Sequence, residues 1–326
     1  METREKVLRM LEGGKVVSGE SLAGELGVSR NAVWKAMTRL REQGYGIEAV
    51  TNRGYRLIFS PDRLSREAIG RFLSTEVIGR EMEIHDLLDS TNTRAKKLAA
   101  EGAPHGTAVI ADAQSGGRGR LGRSFFSPGH TGIYLSYILR PSCSPERASL
   151  LTSLAAAAVA QAIEQVADTR VSIKWVNDLY IGDRKICGIL CEAGMGMEAG
   201  QLDYVIAGIG VNVGKTDFPP ELSEIATSIG NETGAAPDRN RLIACISNRM
   251  EALLGGLETG EFLEENRKRS NVIGRKITVL EGGKEYPAFA EDIDGQGRLV
   301  IRTAEGLSRL NYGEVSLKLG KRGGTV

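Results

Sequence analysis

Apolar and polar residues follow three different rhythms along this chain, and the rhythm changes near residues 62 and 270. In the first segment TREKVLRMLEGG sets Val7, Leu8 and Leu11 on one helical face and closes at Gly13-Gly14. SGESLAGELG opens on a cap at Ser18 or Ser21 and closes at Gly27, and SRNAVWKAMTRLREQG runs from Ser29 to Gly44. IEAVTNRGYRL then alternates around Asn52-Arg53-Gly54, the pattern of a two-stranded ribbon. In the third helix Val33, Met37 and Leu40 share the core stripe, which turns Ser29, Arg30, Asn31, Lys35 and Arg39 outward, with Arg53 at the ribbon turn. These residue types read base edges and hold phosphates, so residues 1–62 are expected to be a winged helix-turn-helix that binds DNA. A helical protein-interaction module with a solvated basic face is the plainer alternative.

The second segment, residues 63–270, interleaves the strand patterns TAVIADAQ, IYLSYILR, VSIKWV, RKICGILCEAG and DYVIAGIGVNV with helical patterns such as NTRAKKLAAEG, SLLTSLAAAAVAQAIEQV and RLIACISNRMEALLGG. Strands outnumber the helices between them, and short joints such as Ile181-Gly182-Asp183 make hairpins. A mixed, largely antiparallel sheet with helices on one face is expected, of α+β class. Residues 271–326 hold five short strands, KITVLE, EYPAFAEDID, RLVIRTA, LSRLNYG and EVSLKL, between Gly-Gly, Asp-Gly and Glu-Gly turns, which suggests a small SH3-like β-barrel.

Composition adds boundaries to this picture. The 326 residues are 41% hydrophobic and 25% charged, the balance of a soluble globular chain. The longest apolar run, LTSLAAAAVAQAI, reads as a buried helix, and METREKVLRMLEGG lacks the layout of a signal peptide, so a cytoplasmic location without a membrane is expected. Net charge is +1 overall, but residues 1 to 60 carry 10 Lys and Arg against 7 Glu. Cys143, Cys187, Cys191 and Cys245 have no paired C-x-x-C spacing, which points to neither a zinc site nor a disulfide framework, and the two within ICGILCE read as buried, inert thiols.

Chemistry concentrates in four polar stretches. Gly117-Arg118-Gly119-Arg120-Leu121-Gly122 satisfies G-x-G-x-x-G, and a strand pattern precedes it, but RSFFSPGHTG after it cannot open a helix and no carboxylate follows at the required distance. The dinucleotide reading fails, leaving a glycine-hinged loop loaded with guanidinium groups, which either suits a substrate bearing carboxylate and phosphate or is a solvated basic loop. DSTNTRAKKLA puts Ser90, Thr91 and Asn92 at a helix start, where they serve as caps or bind a neutral, urea-like head group; Gln114 stands at a strand end. KWVNDLYIGDRKICG brings Lys174, Asn177, Asp178 and Lys185 into one hairpin, where Lys185 either meets an anion or bridges to Asp183. In GIGVNVG, Asn212 interrupts an apolar run flanked by glycines.

Taken together, GGRGRLGRSFFSP, KWVNDLYIGDRKICGIL and AGIGVNV resemble the three signature stretches of biotin protein ligases. With the flanking segments, the chain resembles over nearly its whole length the members that double as biotin-operon repressors. The resemblance implies a central domain similar to class II aminoacyl-tRNA synthetases. It also implies that Ser90, Thr91, Asn92, Gln114 and Gly188 line the biotin pocket, while Arg118, Gly119, Arg120 and Lys185 hold the biotin carboxylate and adenylate phosphate. It further implies that Asn177 and Asn212 contact ATP, and that Lys174 and Asp178 lie near the phosphates and Mg²⁺, with Asp178 a metal ligand. Val176 stands where the family often has proline, and Phe125 where some members place tryptophan over adenine, a contact it would share with Phe126. The implied partners are the biotin carboxyl carrier protein, operator DNA and a second copy of the chain in a ligand-dependent homodimer. Rival readings are a lipoate or octanoate ligase on the related fold, and a biotin-sensing repressor without catalysis.

Overall fold

The computed structural model describes residues 3–11, 15–42, 45–51, 53–59, 63–195, 202–311 and 314–317, in two compact units, Met1–Arg63 and Leu64–Val326.

In the first unit, α1 (Thr3–Leu11), α2 (Gly19–Leu26) and α3 (Arg30–Glu42) precede a ribbon of β1 (Gly46–Val50) and β2 (Gly54–Phe59). Local chemistry starts and stops these helices: Ser18 accepts from the Ser21 N–H, Gly27 ends α2 in the left-handed region at φ 63°, and Ser29 Oγ accepts from the Ala32 N–H at 3.2 Å. Val7, Leu11, Leu22, Val33, Met37 and Leu40 form the shared core, as the helical spacing predicts. A side chain at Gly54 would lie 2.1 Å from the Val17 carbonyl, so the ribbon turn requires glycine at that position. The expected helix ends at Gly13-Gly14 and Gly44, and Asn52 of the turn, lie outside the described residues.

The second unit begins with α4 (Arg66–Gly70), β3 (Met82–Leu88), α5 (Thr91–Ala100), β4 (Ala108–Gln114) and β5 (Gly132–Leu139). The short α6 (Pro145–Ala148) and the long α7 (Leu151–Val166) lead to a meander of β6 (Ser172–Lys174), β7 (Asp178–Ile181) and β8 (Arg184–Met195). Then follow β9 (Leu202–Asn212), α8 (Pro220–Ser223), α9 (Ile229–Thr233), α10 (Arg239–Leu254) and α11 (Leu263–Arg269). Seven of these strands form one sheet in the order β3-β4-β5-β9-β8-β7-β6, with β3 and β4 parallel and every other pair antiparallel.

Helices cover both faces of this sheet, not one as the sequence pattern suggested. Ala95 and Ala99 of α5 pack on Val109, Ile138 and Ile206, whereas α7 and α10 cover the alternate residues Ile110, Tyr137, Leu139 and Val205. The reason lies in β5, buried at every position, since a strand apolar on both sides must be covered on both sides. By length and composition Pro145–Val166 passes as a membrane span; in the fold its larger part, α7, is a core helix whose alanines allow close approach to the sheet.

The last strands, β10 (Lys276–Glu281), β11 (Lys284–Ile293), β12 (Leu299–Thr303), β13 (Gly306–Leu310) and β14 (Glu314–Leu317), form an antiparallel sheet in the order β13-β12-β11-β10-β14. All five expected strands are present, but among the described residues no pairing joins β13 to β14, so the sheet does not close into the expected barrel. The short β14 spends its pairing on β10. Buried Trp175, beside the end of β6, donates its indole N–H to the Gly297 carbonyl at 2.9 Å, tying this sheet to the larger one. Replacing Trp175 by Phe strands a buried carbonyl and is expected to lower stability by about 1–3 kcal/mol with an unchanged denaturant slope, as read from urea unfolding.

Candidate functional site

The middle strands of the large sheet carry glycines where a pocket needs a bare floor. Gly188 of β8 pairs with Gly210 of β9, and Leu190 pairs with Gly208. Two side chains press onto this floor. A Cβ at Gly208 would sit 2.0 Å from Asn92 Oδ1, and one at Gly210 would sit 2.6 Å from the Phe125 ring.

One wall is the start of α5. The parallel crossover from β3 through α5 to β4 places this helix mouth beside Gln114 at the end of β4. Ser90, at the N-cap, makes no side-chain bond to the helix, and Ser90, Thr91 and Asn92 are all buried. Gln114 Oε1 accepts from the Thr91 N–H at 2.8 Å and its hydroxyl at 3.2 Å, while Gln114 Nε2 donates to Ser127 Oγ at 3.1 Å.

The opposite wall is the arginine loop. Gly119 donates its N–H to the Arg123 carbonyl at 2.7 Å and Phe125 donates to the Gly117 carbonyl at 2.9 Å, closing a tight hairpin. Leu121 at φ 54° and Gly122 at φ 74° take left-handed conformations at its tip. A single 3-10 turn, Arg120–Gly122, replaces the α-helix that a dinucleotide loop would need. Arg120 Nη1 donates to Asn177 Oδ1 at 2.9 Å, linking the loop to the meander.

In the meander Asp178 Oδ1 receives Lys185 Nζ at 2.7 Å and Asn177 Nδ2 at 3.0 Å. The partner of Lys185 inside the protein is therefore Asp178, not Asp183. Lys174, Asn177, Asp178 and Lys185 also span two successive hairpins, β6-β7 and β7-β8, where one was expected.

The resulting cavity has an empty volume of about 470 Å³. Its lining brings together Ser90, Thr91, Asn92 and Gln114 at the helix mouth, Arg118, Gly119, Arg120 and Phe125 from the loop, and Asn177, Lys185 and Gly188 from the meander. Asp178 stands behind Lys185 and does not line the cavity. Lys174 lies over the Tyr180 ring at 5.8 Å, and buried Asn212 donates to the Thr227 carbonyl at 3.0 Å, both outside the lining. Phe126 turns to Phe218 instead, with ring centroids 6.0 Å apart.

Sequence reasoning missed the polar groups beneath the helix mouth. Fully buried Ser136 contacts Thr91 Oγ1 at 2.8 Å and Asn92 Oδ1 at 2.6 Å. Asn92 Nδ2 donates to Glu192 Oε2 at 2.8 Å, and Lys96 Nζ meets Glu192 Oε1 at 2.6 Å. Burial works against the ionised Glu192, yet Lys96, Asn92 and the Arg118 charge hold its carboxyl below the ordinary carboxylate value. The available signals were one serine inside the apolar IYLSYIL and one glutamate at the end of ICGILCE. The neighbouring thiols fit the inert reading: burial pushes Cys187 up, and Cys191 up to about 11.

On the first unit, Ser29, Arg30, Asn31, Lys35, Arg39 and Arg53 are all exposed. Trp34, which the sequence reading did not single out, is 55% exposed among them on the same face as Arg30, Asn31 and Lys35.

Three segments match known families: residues 3–56 an HTH domain, residues 84–212 the Biotin/lipoate A/B protein ligase family, and residues 272–318 the Biotin protein ligase C terminal domain. The chain is 38% identical to the Bifunctional ligase/repressor BirA of Bacillus subtilis, over 94% of this chain and 95% of that protein. It is 30% identical to the protein of the same name from Escherichia coli, over 96% of each. Among solved structures, the biotin protein ligase of Aquifex aeolicus in complex with biotin and ATP superposes with a TM-score of 0.62 at 28% identity, covering 73% of this chain and 98% of that one.

Because Asn92 is bonded at both ends of its amide, it cannot yield to a methyl group on the floor. Gly208→Ala is expected to cost about 1–3 kcal/mol by overpacking, measured as a lowered thermal midpoint, whereas the same change at solvent-open Gly255 should cost far less.

Proposed function

The chain belongs to the bifunctional biotin ligase/repressor family, and on that premise we propose that it activates biotin with ATP and transfers it to a carrier protein, while its helix-turn-helix represses biotin genes. The observation that carries the enzymatic half is the polarity of one cavity. Neutral groups line its helix mouth, and Arg118, Arg120 and Lys185 line the rest.

A cyclic urea fits the neutral end, at Ser90, Thr91, Asn92 and Gln114, with Gly188 of the floor leaving room for the ring system. The acyl tail then points its carboxylate toward the guanidinium groups. A carboxylate oxygen attacks the α-phosphorus of ATP, the bond to the bridging oxygen breaks, and diphosphate leaves with biotinyl-5′-AMP formed. Two anions must meet for this step, and Arg118, Arg120 and Lys185 offset their repulsion and stabilise the charge that builds on the phosphorus oxygens. Gly119 lets the loop backbone approach the phosphate. Asn177, which already holds Arg120, and Phe125, which faces the cavity, serve the nucleotide. Asn212 is assigned to the nucleotide as well, and Lys174 to the neighbourhood of its phosphates. In the second step the amine of an acceptor lysine on the biotin carboxyl carrier protein attacks the anhydride carbonyl, an amide forms, and AMP leaves.

Among the described residues no group of three or more acidic, His or Cys side chains could cage a metal, and the carboxylate next to the cationic end is Asp178, held by Lys185. A Mg²⁺ brought in by ATP would need only one protein ligand, which Asp178 would supply, and it would neutralise phosphate charge.

The second half of the proposal concerns DNA. Ser29, Arg30, Asn31, Lys35 and Arg39 of α3 enter the major groove, and Arg53 of the ribbon, acting as a wing, reaches the backbone. Biotinyl-AMP favours a homodimer joined at an edge of the large sheet, and the dimer matches two half-sites of a biotin operator by linkage. We take the domain boundaries as 1–62, 63–270 and 271–326, the central sheet as class II synthetase-like, the C-terminal sheet as an SH3-like module, and the working location as the cytoplasm.

Purified protein with Mg-ATP and biotin is expected to form biotinyl-AMP detectable by mass spectrometry, and to form no adenylate with lipoate or octanoate. Lys185→Ala and Arg118→Ala should each slow it about 10²–10³-fold, as for lost oxyanion donors. Adenylation of lipoate would move the chain to the neighbouring ligase branch, and tight biotin binding without adenylate would leave a sensor. For the DNA half, adenylate is expected to double the sedimenting mass at micromolar protein, and Arg39→Ala to lower the salt slope of operator binding by about 1. An unchanged mass would sink the linkage.

A further inference from the structure

Behind the helix mouth runs a closed chain of hydrogen bonds whose far end is a charge. Asn92 Nδ2 points at two groups that can only accept, the Leu190 carbonyl at 3.3 Å and the Glu192 carboxylate at 2.8 Å. That choice leaves Asn92 Oδ1, an acceptor, facing Ser136 Oγ at 2.6 Å, so the single Ser136 proton must go there. Ser136 is fully buried, and with its one proton on Asn92 it turns a lone pair to Thr91 Oγ1, 2.8 Å away. Gln114 Oε1, at 3.2 Å, is the other acceptor within reach of Thr91. Whichever the Thr91 hydroxyl chooses, its proton is used inside the protein, and what it turns to the cavity is a lone pair.

We infer that Glu192 is a positioning residue that sets the direction of every proton in the buried chain Asn92–Ser136–Thr91, so that the pocket demands a ligand N–H. A cyclic urea supplies that N–H; a dithiolane or a plain acyl chain does not. The inference rests on the biotin reading of this cavity and adds where its selectivity originates. Two grips of α5 hold the carboxylate in place, since Asn92 takes one oxygen and Lys96, one helical turn on, takes the other at 2.6 Å. With a neutral amide at 192 the Asn92 side chain can turn over, Ser136 can donate toward Thr91, and Thr91 is free to present either a proton or a lone pair.

The experiment is calorimetric binding of biotin and of its two cyclic carbamate isosteres, in each of which one ring N–H is replaced by oxygen, to the full chain and its variants. For the unaltered protein, one isostere should bind at least tenfold more weakly than biotin. In Glu192→Gln that ratio should fall to about threefold or less, because biotin loses affinity while the isostere does not. A merely structural defect would weaken both ligands by the same factor and keep the ratio, which overturns the inference. Ser136→Ala removes one oxygen from the middle of the chain and should collapse the ratio equally, with the double variant no worse than either single one. This second variant carries the test if Glu192→Gln does not fold. Failure of the unaltered protein to bind biotin overturns the parent reading, and this one with it. Tight biotin binding with ratios unmoved in both variants overturns this inference alone.

Discussion

The site depends on one steric constraint, a sheet surface without side chains at Gly188, Gly208 and Gly210. Strands β8 and β9 lie inside the sheet, with paired neighbours on both sides. Asn92 and Phe125 settle there from opposite directions, one from a helix mouth and one from the arginine loop. Each touches the floor directly, and the two walls are joined at one side, where the Gly116 N–H donates to the Asp89 carbonyl at 2.8 Å. A cavity between neutral and cationic ends follows from that geometry.

The cationic end is built with its charges already partly answered. Lys185 pairs with Asp178, and Arg120 donates to Asn177, whose amide also donates to Asp178. Such a network holds the cations in position before an anion arrives, at the cost of competing with it. A carboxylate and a triphosphate together carry enough negative charge to win that competition, whereas a single weak anion would not. The arrangement thus favours ligands that bring two anionic groups at once.

The neutral end works differently, since its hydroxyls and amides have no net charge to orient them. Their order derives from connection to groups of fixed character: backbone carbonyls, a carboxylate and a helix N-terminus. Strand β8 supplies the first two, at Leu190 and Glu192, and α5 supplies the third. Selectivity for a donor or an acceptor is thereby set outside the ligand's reach, in side chains the ligand never touches.

By itself the sequence determined the local elements. Helical spacing and caps located α1 to α3, the alternation around Gly54 located the ribbon, and clustered polar residues marked the helix mouth, the arginine loop and the meander. These are legible because caps, turns and periodicity act over a few residues. Only the tertiary structure decided the rest. It put helices on both faces of the sheet, left the last five strands open among the described residues, matched Lys185 to Asp178 instead of Asp183, and kept Lys174 and Asn212 out of the cavity lining. It also joined Asn92 to Glu192, 100 residues away, through strand neighbours that no local pattern announces. Cross-strand partners depend on sheet order and register, and those are settled by packing the whole core at once, not by any window of the chain.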